Sequence, residues 1–269
     1  MTSDNDDVKA TLRDMEVHDG WTAGYRTIEN EAFYALAFDH VAQVLGVPDG
    51  GTILDAGCGS GTKSAHLASR GFRVVGVDIS EQILEAAREN LDKSGLSDRV
   101  TLQVADLTSM RFDDGAFRGV LCWGVLMHVP EVERAIAELA RVTAPGGTIV
   151  VSEGNRYSVQ AIALRSLKRL LNRERAEVRA RPSGVELWEE TSAGRLVTRQ
   201  ADIEWLIGEF GHHGAQLIER RSGQFTEVFT LIPWKPVRSA IHFFNNGWFR
   251  WPRWAGPAFG NLLVFRKSG

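Results

Sequence analysis

Between Thr52 and Ser152, short apolar runs alternate with longer stretches of helical spacing. Ile53-Leu54-Asp55-Ala56, Arg73–Val77, Val100–Val104, Gly119–Trp123 and Thr148–Ser152 read as five strands, the first of them buried. Helices are predicted between them, over Thr62–Ser69, from a Ser80 cap to Leu91 with Glu81 in the first turn, and over Glu131–Arg141. The last ends at Ala144-Pro145-Gly146-Gly147, a proline and glycine stop. Strands alternating with helices imply right-handed crossovers and an α/β, doubly wound, mostly parallel sheet.

Outside this block the pattern weakens. Residues before Asp14 are polar and read as frayed, whereas Phe33, Leu36, Ala37, Val41 and Val44 set a helical stripe over Tyr25–Leu45. Pro48-Asp49-Gly50-Gly51 then punctuates the chain. The expected organisation is an N-terminal helical lid (1–50), the core (51–154), a helical insertion or cap on the acceptor side (155–210), and C-terminal strands closing the sheet (211–269). Ala215–Arg220, Val228–Ile232 and Leu262–Phe265 are the candidate closing strands, with a Trp-rich loop at 233–260. Pro236, Pro252 and Pro257 argue against one regular element in that loop.

Composition narrows the class. A chain of 269 residues, 43% hydrophobic and 24% charged, buries enough surface to need no disulfide or metal staple. Two cysteines, Cys58 and Cys122, suit a reducing compartment, and an acidic first decade is unlike a signal peptide, so a cytoplasmic location is expected. The net charge of −3 excludes a globally basic nucleic-acid binder, and no apolar run predicts membrane insertion.

Candidate chemistry starts at Asp55-Ala56-Gly57-Cys58-Gly59-Ser60-Gly61, a glycine turn between strand and helix that lets backbone approach a ligand. Its spacing departs from the dinucleotide fingerprint. Asp78 ends the second strand, where a carboxylate can accept both hydroxyls of a ribose, and Asp106 follows the third, within reach of an adenine amino group. Both could instead be helix caps.

With these residues, Trp123–His128 and Ala144–Gly147, the central hundred residues resemble the class I S-adenosylmethionine-dependent methyltransferases. The resemblance implies a seven-stranded Rossmann-like sheet whose last strand is antiparallel, with S-adenosylmethionine as cofactor and no metal. It also implies a cofactor set of Tyr25, Asp55, Gly57, Cys58, Gly59, Gly61, Asp78, Ile79, Asp106, Leu107 and Trp123. Asp78 would meet the ribose, Ile79 the adenine face and Asp106 the amino group. Trp21 and Tyr25 lie where a lid over the cofactor is expected.

Methyl transfer asks chiefly for alignment in a dry pocket. His128 and Glu153, after strands four and five, are the candidate catalytic groups, with His128 as the base. The alternatives are a ring packed on the cofactor and an anchor for a loop. Lys63 could face the acceptor or solvent, and His212 and His213 read as solvated. Arg156–Arg181 carries eight basic residues on an expected amphipathic helix, either a solvated face or a site for a phosphate or carboxylate. The aromatic run Trp234–Phe259 reads as pocket wall, core or interface, and its arginines permit membrane-surface contact.

The expected function is methylation of a small or medium organic acceptor, on oxygen by preference, such as a secondary-metabolite or sugar intermediate. Expected partners are that small molecule and a second copy in a homodimer, not nucleic acid. A NAD-dependent oxidoreductase and a non-catalytic S-adenosylmethionine-binding protein are the rival readings.

Overall fold

The structure, a computed structural model, describes residues 2–25, 27–46, 51–170 and 177–269. Three helices come first, α1 (Thr2–Thr11), α2 (Met15–Tyr25) and α3 (Ile28–Leu45). The alternating block follows as β1 (Thr52–Ala56), α4 (Thr62–Ala68), β2 (Arg73–Asp78), α5 (Glu81–Lys93), β3 (Val100–Val104), β4 (Phe117–Trp123), α6 (Val132–Val142) and β5 (Thr143–Gly154). Then come α7 (Val159–Leu170), β6 (Glu177–Arg181), β7 (Gly184–Thr191), β8 (Gly194–Ala201), α8 (Ile203–His212), β9 (Ala215–Ser222), α9 (Lys235–Arg250) and β10 (Gly260–Lys267).

Seven strands form one sheet in the order β3-β2-β1-β4-β5-β10-β9. The first five are parallel, and β10 runs antiparallel to both β5 and β9. Successive strand residues feed opposite faces. Leu54, Val120, Ile149, Val151 and Leu263 join α6 and α8 on one face, while Ile53, Leu121, Val150, Leu262 and Val264 join α3 on the other. Cover on both faces explains the apolar runs of β1, β4 and β5, whereas β3, at the sheet edge, leaves Thr101, Gln103 and Val104 exposed. Each fully buried aliphatic side chain there contributes roughly 1.5–3 kcal/mol. The strand order reverses between β1 and β4, which opens a crevice beyond their carboxyl ends, where open α/β sheets bind ligands.

Four expectations are corrected. The residues before Asp14 are not frayed: α1 buries Val8 in an apolar cluster with Trp188 and Val197. The segment 155–210 is not a helical cap. Among its described residues only α7 and α8 are α-helical, and between them β6, β7 and β8 form a three-stranded antiparallel sheet. The Pro182-Ser183-Gly184 and Ser192-Ala193-Gly194 turns split it, and at Gly184 a Cβ would strike the Gln200 carbonyl at 2.1 Å. Of the expected basic helix, Leu171, Arg173, Glu174 and Arg175 lie outside the described residues, as do Pro48, Asp49 and Gly50 of the first punctuation.

The aromatic segment is not a loop either. Much of it is α9, with Pro236 in the first turn, where a missing N–H costs no helical hydrogen bond, and with Pro252 and Pro257 beyond the last. Val228–Leu231 is a 3-10 turn rather than a strand. Among the described residues no helix is long and apolar enough to cross a membrane.

Candidate functional site

At the crevice, the turn after β1 is drawn tight by two amides. The N–H groups of Gly57 and Cys58 both donate to the Val77 carbonyl, at 2.8 and 2.9 Å. Gly57 has φ +78°, and a Cβ there would come within 2.5 Å of the Val125 side chain. Only glycine lets the loops after β1 and β4 meet so closely.

Asp78, at the end of β2, faces this turn. Its Oδ2 accepts from the Gly59 amide at 3.0 Å and its Oδ1 from the Ser80 amide at 3.1 Å. Burial pushes its pKa up, against the pull of the Ser80 amide, the nearby His18 and the Gly59 and Ile79 amides. Each oxygen keeps a lone pair, so the carboxylate can still accept a vicinal diol. Asp106 is held by Lys9 Nζ at 2.7 Å and by the Thr108 amide and hydroxyl. Burial raises its pKa, but Lys9 and Thr108 prevail and hold it below the usual carboxylate range.

A cavity of about 470 Å³ runs through this region, within the range of small-molecule sites. Gly57, Cys58, Gly59, Asp78, Ile79 and Asp106 line it, and so do Leu107, Trp123, Tyr25, His128 and Glu153. Asp55 and Gly61 do not, contrary to the sequence-based expectation. Asp55 lies beneath the turn, 1% exposed, where Ser64 Oγ donates to it at 2.6 Å; burial, opposed by Ser64, pushes it up to about 6. Gly61 instead starts α4, with a hypothetical Cβ 3.2 Å from Ala87. Burial also drives the Cys58 thiol well up, which suits a packing residue and not a nucleophile.

His128 stands in a short 3-10 turn after β4. Its Nδ1 lies 2.9 Å from the Val197 carbonyl. A carbonyl only accepts, so Nδ1 carries the proton and Nε2 the lone pair. Burial lowers its pKa to about 4, and its ring stacks on Trp21 with centroids 4.5 Å apart. The ring is neutral near pH 7. Glu153 is 3% exposed; its Oε1 accepts from the Leu126 amide at 2.9 Å, and its Oε2 is buried without a partner. Burial pushes it up to about 8, so it is largely protonated at neutral pH.

Among the lining residues, Gln224 and Glu227 gave no signal in the sequence. Tyr25 donates its hydroxyl to Glu227 Oε2 at 2.8 Å, across 202 residues. The Glu227 charge, then burial, pushes that phenol well above its usual value, and burial raises Glu227 itself. Gln224 donates to Asn30, which donates to the Tyr25 carbonyl, tying the loop after β9 to the start of α3. Lys63 also lines the cavity, 5.1 Å above the Tyr34 ring.

Elsewhere, His212 and His213 sit at the end of α8 beside Glu209, away from the cavity. Of the expected anion-binding guanidiniums, Arg156, Arg165 and Arg179 are engaged within the protein. Arg156 pairs with Asp202 at 3.6 Å, Arg179 with Asp4 at 3.0 Å, and Arg165 Nη2 donates to the Arg156 carbonyl at 2.6 Å.

The donor set fits an adenosyl ligand: a carboxylate for a ribose, an apolar Ile79 beside it, and exposed backbone at a glycine turn. Residues 53–147 match the family described as Methyltransferase domain. Methyltransferase GfsG of Streptomyces halstedii is 34% identical over 110 residues, 40% of this chain and 40% of that one. A ubiquinone biosynthesis O-methyltransferase of Alkalilimnicola ehrlichii is 37% identical over 125 residues (45% and 49%), and one of Coxiella burnetii 30% over 151 (54% and 64%). The match thus spans 40% to 64% of these relatives' length.

Among solved structures, the magnesium protoporphyrin IX methyltransferase of Synechocystis PCC 6803 with bound SAH has a TM-score of 0.62 at 17% identity, covering 97% of this chain and 98% of that one. The [4+2]-cyclase SpnF has a TM-score of 0.60 at 21% identity, covering 87% and 80%. At such identities the likeness speaks for the fold. Residues 53–147 are thus a methyltransferase domain of the class I, S-adenosylmethionine-dependent type.

Proposed function

We propose that the whole chain methylates a small or medium organic acceptor, on oxygen by preference, with a secondary-metabolite or sugar intermediate as the acceptor class. The observation that carries this reading is one cavity lined both by Asp78 with its glycine turn and by polar groups outside the expected cofactor set, Gln224 and Glu227. The Alkalilimnicola and Coxiella relatives, named as O-methyltransferases, support the choice of oxygen. Net charge −3 disfavours a nucleic-acid acceptor, and two free buried cysteines suit the cytoplasm.

In this proposal Asp78 takes the ribose hydroxyls and Ile79 and Leu107 pack the adenine. Asp106 faces the adenine amino group, and the backbone at Gly57–Gly59 with Trp123 holds the methionine end. α1 and α2 form the lid, through Lys9, Trp21 and Tyr25. When bound, the cofactor supplies a methyl group already activated by a sulfonium. The protein's own work is then to hold the acceptor in line and exclude water.

His128 changes role with its environment. With a conjugate acid near 4, the ring holds a proton too weakly to keep it at neutral pH. Its free Nε2 serves to accept a hydrogen bond from the acceptor hydroxyl and aim its oxygen. Glu153, protonated, anchors the turn after β4. His128→Ala should lower kcat about 100-fold with cofactor affinity unchanged; unaltered turnover at saturating acceptor removes His128 from the chemistry.

Calorimetry with S-adenosylhomocysteine and with NAD tests the donor: heat with the first alone is expected, and heat with NAD alone restores the oxidoreductase reading. A panel of hydroxylated acceptors, followed by S-adenosylhomocysteine release, tests turnover. Binding without release across the panel leaves a non-catalytic protein.

A further inference from the structure

Helix α9 is amphipathic, and much of its outward face stands exposed among the described residues, with Phe244 alone of its outward rings packed on Phe225. Inward, His242, Asn245 and Phe249 are buried, with Phe249 edge-on to Phe33 of α3 at 5.5 Å. Outward stand Val237, Phe243, Phe244 and Trp251. Trp234 just before the helix and Trp254 just after it extend the row, and Trp234, Phe243, Trp251 and Trp254 are 70% to 81% exposed. Exposed aromatic rings in such number on a folded chain mark an interaction surface.

The charge pattern says what covers it. All 34 acidic residues of the sequence precede Val228, while six of the 31 Lys and Arg follow it. Lys235 adjoins Trp234, Arg250 adjoins Trp251, and Arg253 adjoins Trp254, all three exposed. Among the described residues none of the three has a carboxylate partner. Arg238, nearer the body, feels Glu29 of α3 and is set apart from them.

A second copy docking by a two-fold axis would bring these cations against themselves. An anionic bilayer surface answers both halves of the pattern. Tryptophan rings settle at the headgroup boundary, apolar side chains enter just below it, and cations at either end meet lipid phosphates.

The face also adjoins the cavity wall. Asn245 accepts from the Thr226 amide at 3.1 Å and donates to the Thr226 carbonyl at 2.8 Å, while Phe225 packs on Phe244 and Trp248 at 5.2 and 4.5 Å. Thr226 is flanked by Phe225 and by Glu227, which lines the cavity.

We propose that α9 seats the protein peripherally on an anionic bilayer, through Trp234, Phe243, Phe244, Trp251 and Trp254 with Lys235, Arg250 and Arg253. The inference goes beyond methyl transfer and does not depend on it.

The test is co-sedimentation of the full chain with vesicles of phosphatidylcholine alone and of phosphatidylcholine with phosphatidylglycerol, across a salt series. Binding to the anionic vesicles at least tenfold tighter, weakened by salt and accompanied by a blue shift of tryptophan emission, is expected. W234S/F243S/W251S should lose binding to both vesicle types, and K235Q/R250Q should lose the anionic preference. Both variants should melt as the wild type does, because the side chains are exposed. Absence of vesicle binding, binding indifferent to lipid charge, or binding unchanged in both variants overturns the proposal. So does a wild-type dimer in sedimentation velocity that the aromatic triple variant abolishes, which would assign the face to self-association.

Discussion

Arg199 and Glu186, cross-strand partners on β8 and β7, close an ion pair at 2.7 Å with almost no exposure to solvent. Arg199 Nη1 also donates to the carbonyls of Leu126 and Val129, at 2.8 and 2.9 Å, and Nη2 to that of Pro130 at 3.4 Å. A residue of the small sheet therefore grips the turn that carries His128 and presents the Leu126 amide to Glu153. The segment that follows the core strands holds the core's own site in shape.

Removing one partner of that pair leaves a buried charge. Arg199→Met should cost about 3–5 kcal/mol in urea unfolding and weaken cofactor binding by loosening the turn. The double variant R199M/E186L should recover most of the loss. A double variant no more stable than R199M would show that Arg199 acts through the loop carbonyls alone.

Glu153 imposes a pH dependence with a definite sign. Its pKa rises on folding from 4.5 to about 8, so the folded state binds the proton more tightly than the unfolded chain. Within that window stability falls as pH rises, by at most ~1.4 kcal/mol per unit. Glu153→Gln keeps the acceptor for the Leu126 amide and removes the titration. Thermal melts should find it near wild type at pH 5 and several degrees higher at pH 8; parallel wild-type and variant curves would refute the assignment.

The inner parallel strands were legible because burial on both faces leaves apolar runs, and α5 because Ser80 caps it. Ser80 does accept from the Ile83 amide, and Asp78 does end its strand. The insert misled for a physical reason. Leu164, Leu167 and Leu171 set a helical period that holds through Leu170, but the turn residues at 182–184 and 192–194 were the stronger signal for strands. In α9, prolines taken as breakers lie in the first turn and past the end, where they break nothing. Neither the Tyr25–Glu227 contact nor the Lys9–Asp106 pair could be read, since each joins residues about a hundred or more positions apart without a shared pattern.

Gly57→Ala should be costly beyond its size. It places a methyl group in left-handed backbone, costing about 1–2 kcal/mol, and drives it into Val125. Calorimetry should register at least a tenfold loss of S-adenosylhomocysteine affinity, larger than for Gly59→Ala, where nothing lies within 4 Å. Equal losses would remove the loop contact as the cause.

Asp78→Asn swaps an acceptor for a donor where a ribose diol is expected. With about 1.5–3 kcal/mol for each hydrogen bond to a charged group, cofactor affinity should fall roughly 10- to 100-fold. Adenine binding alone should change little. Unaltered affinity would place the ribose elsewhere.

The apolar cluster of Val8, Trp188 and Val197 ties the first helix to the small sheet, and Asp4 adds ion pairs to Arg179 and Arg195. Chimaeras that graft the region between β5 and β9 from a relative must therefore import that relative's opening residues too. Exchanging either piece alone would strand tryptophan against water and leave mismatched charges. In this scaffold, new specificities travel as a matched pair of distant segments.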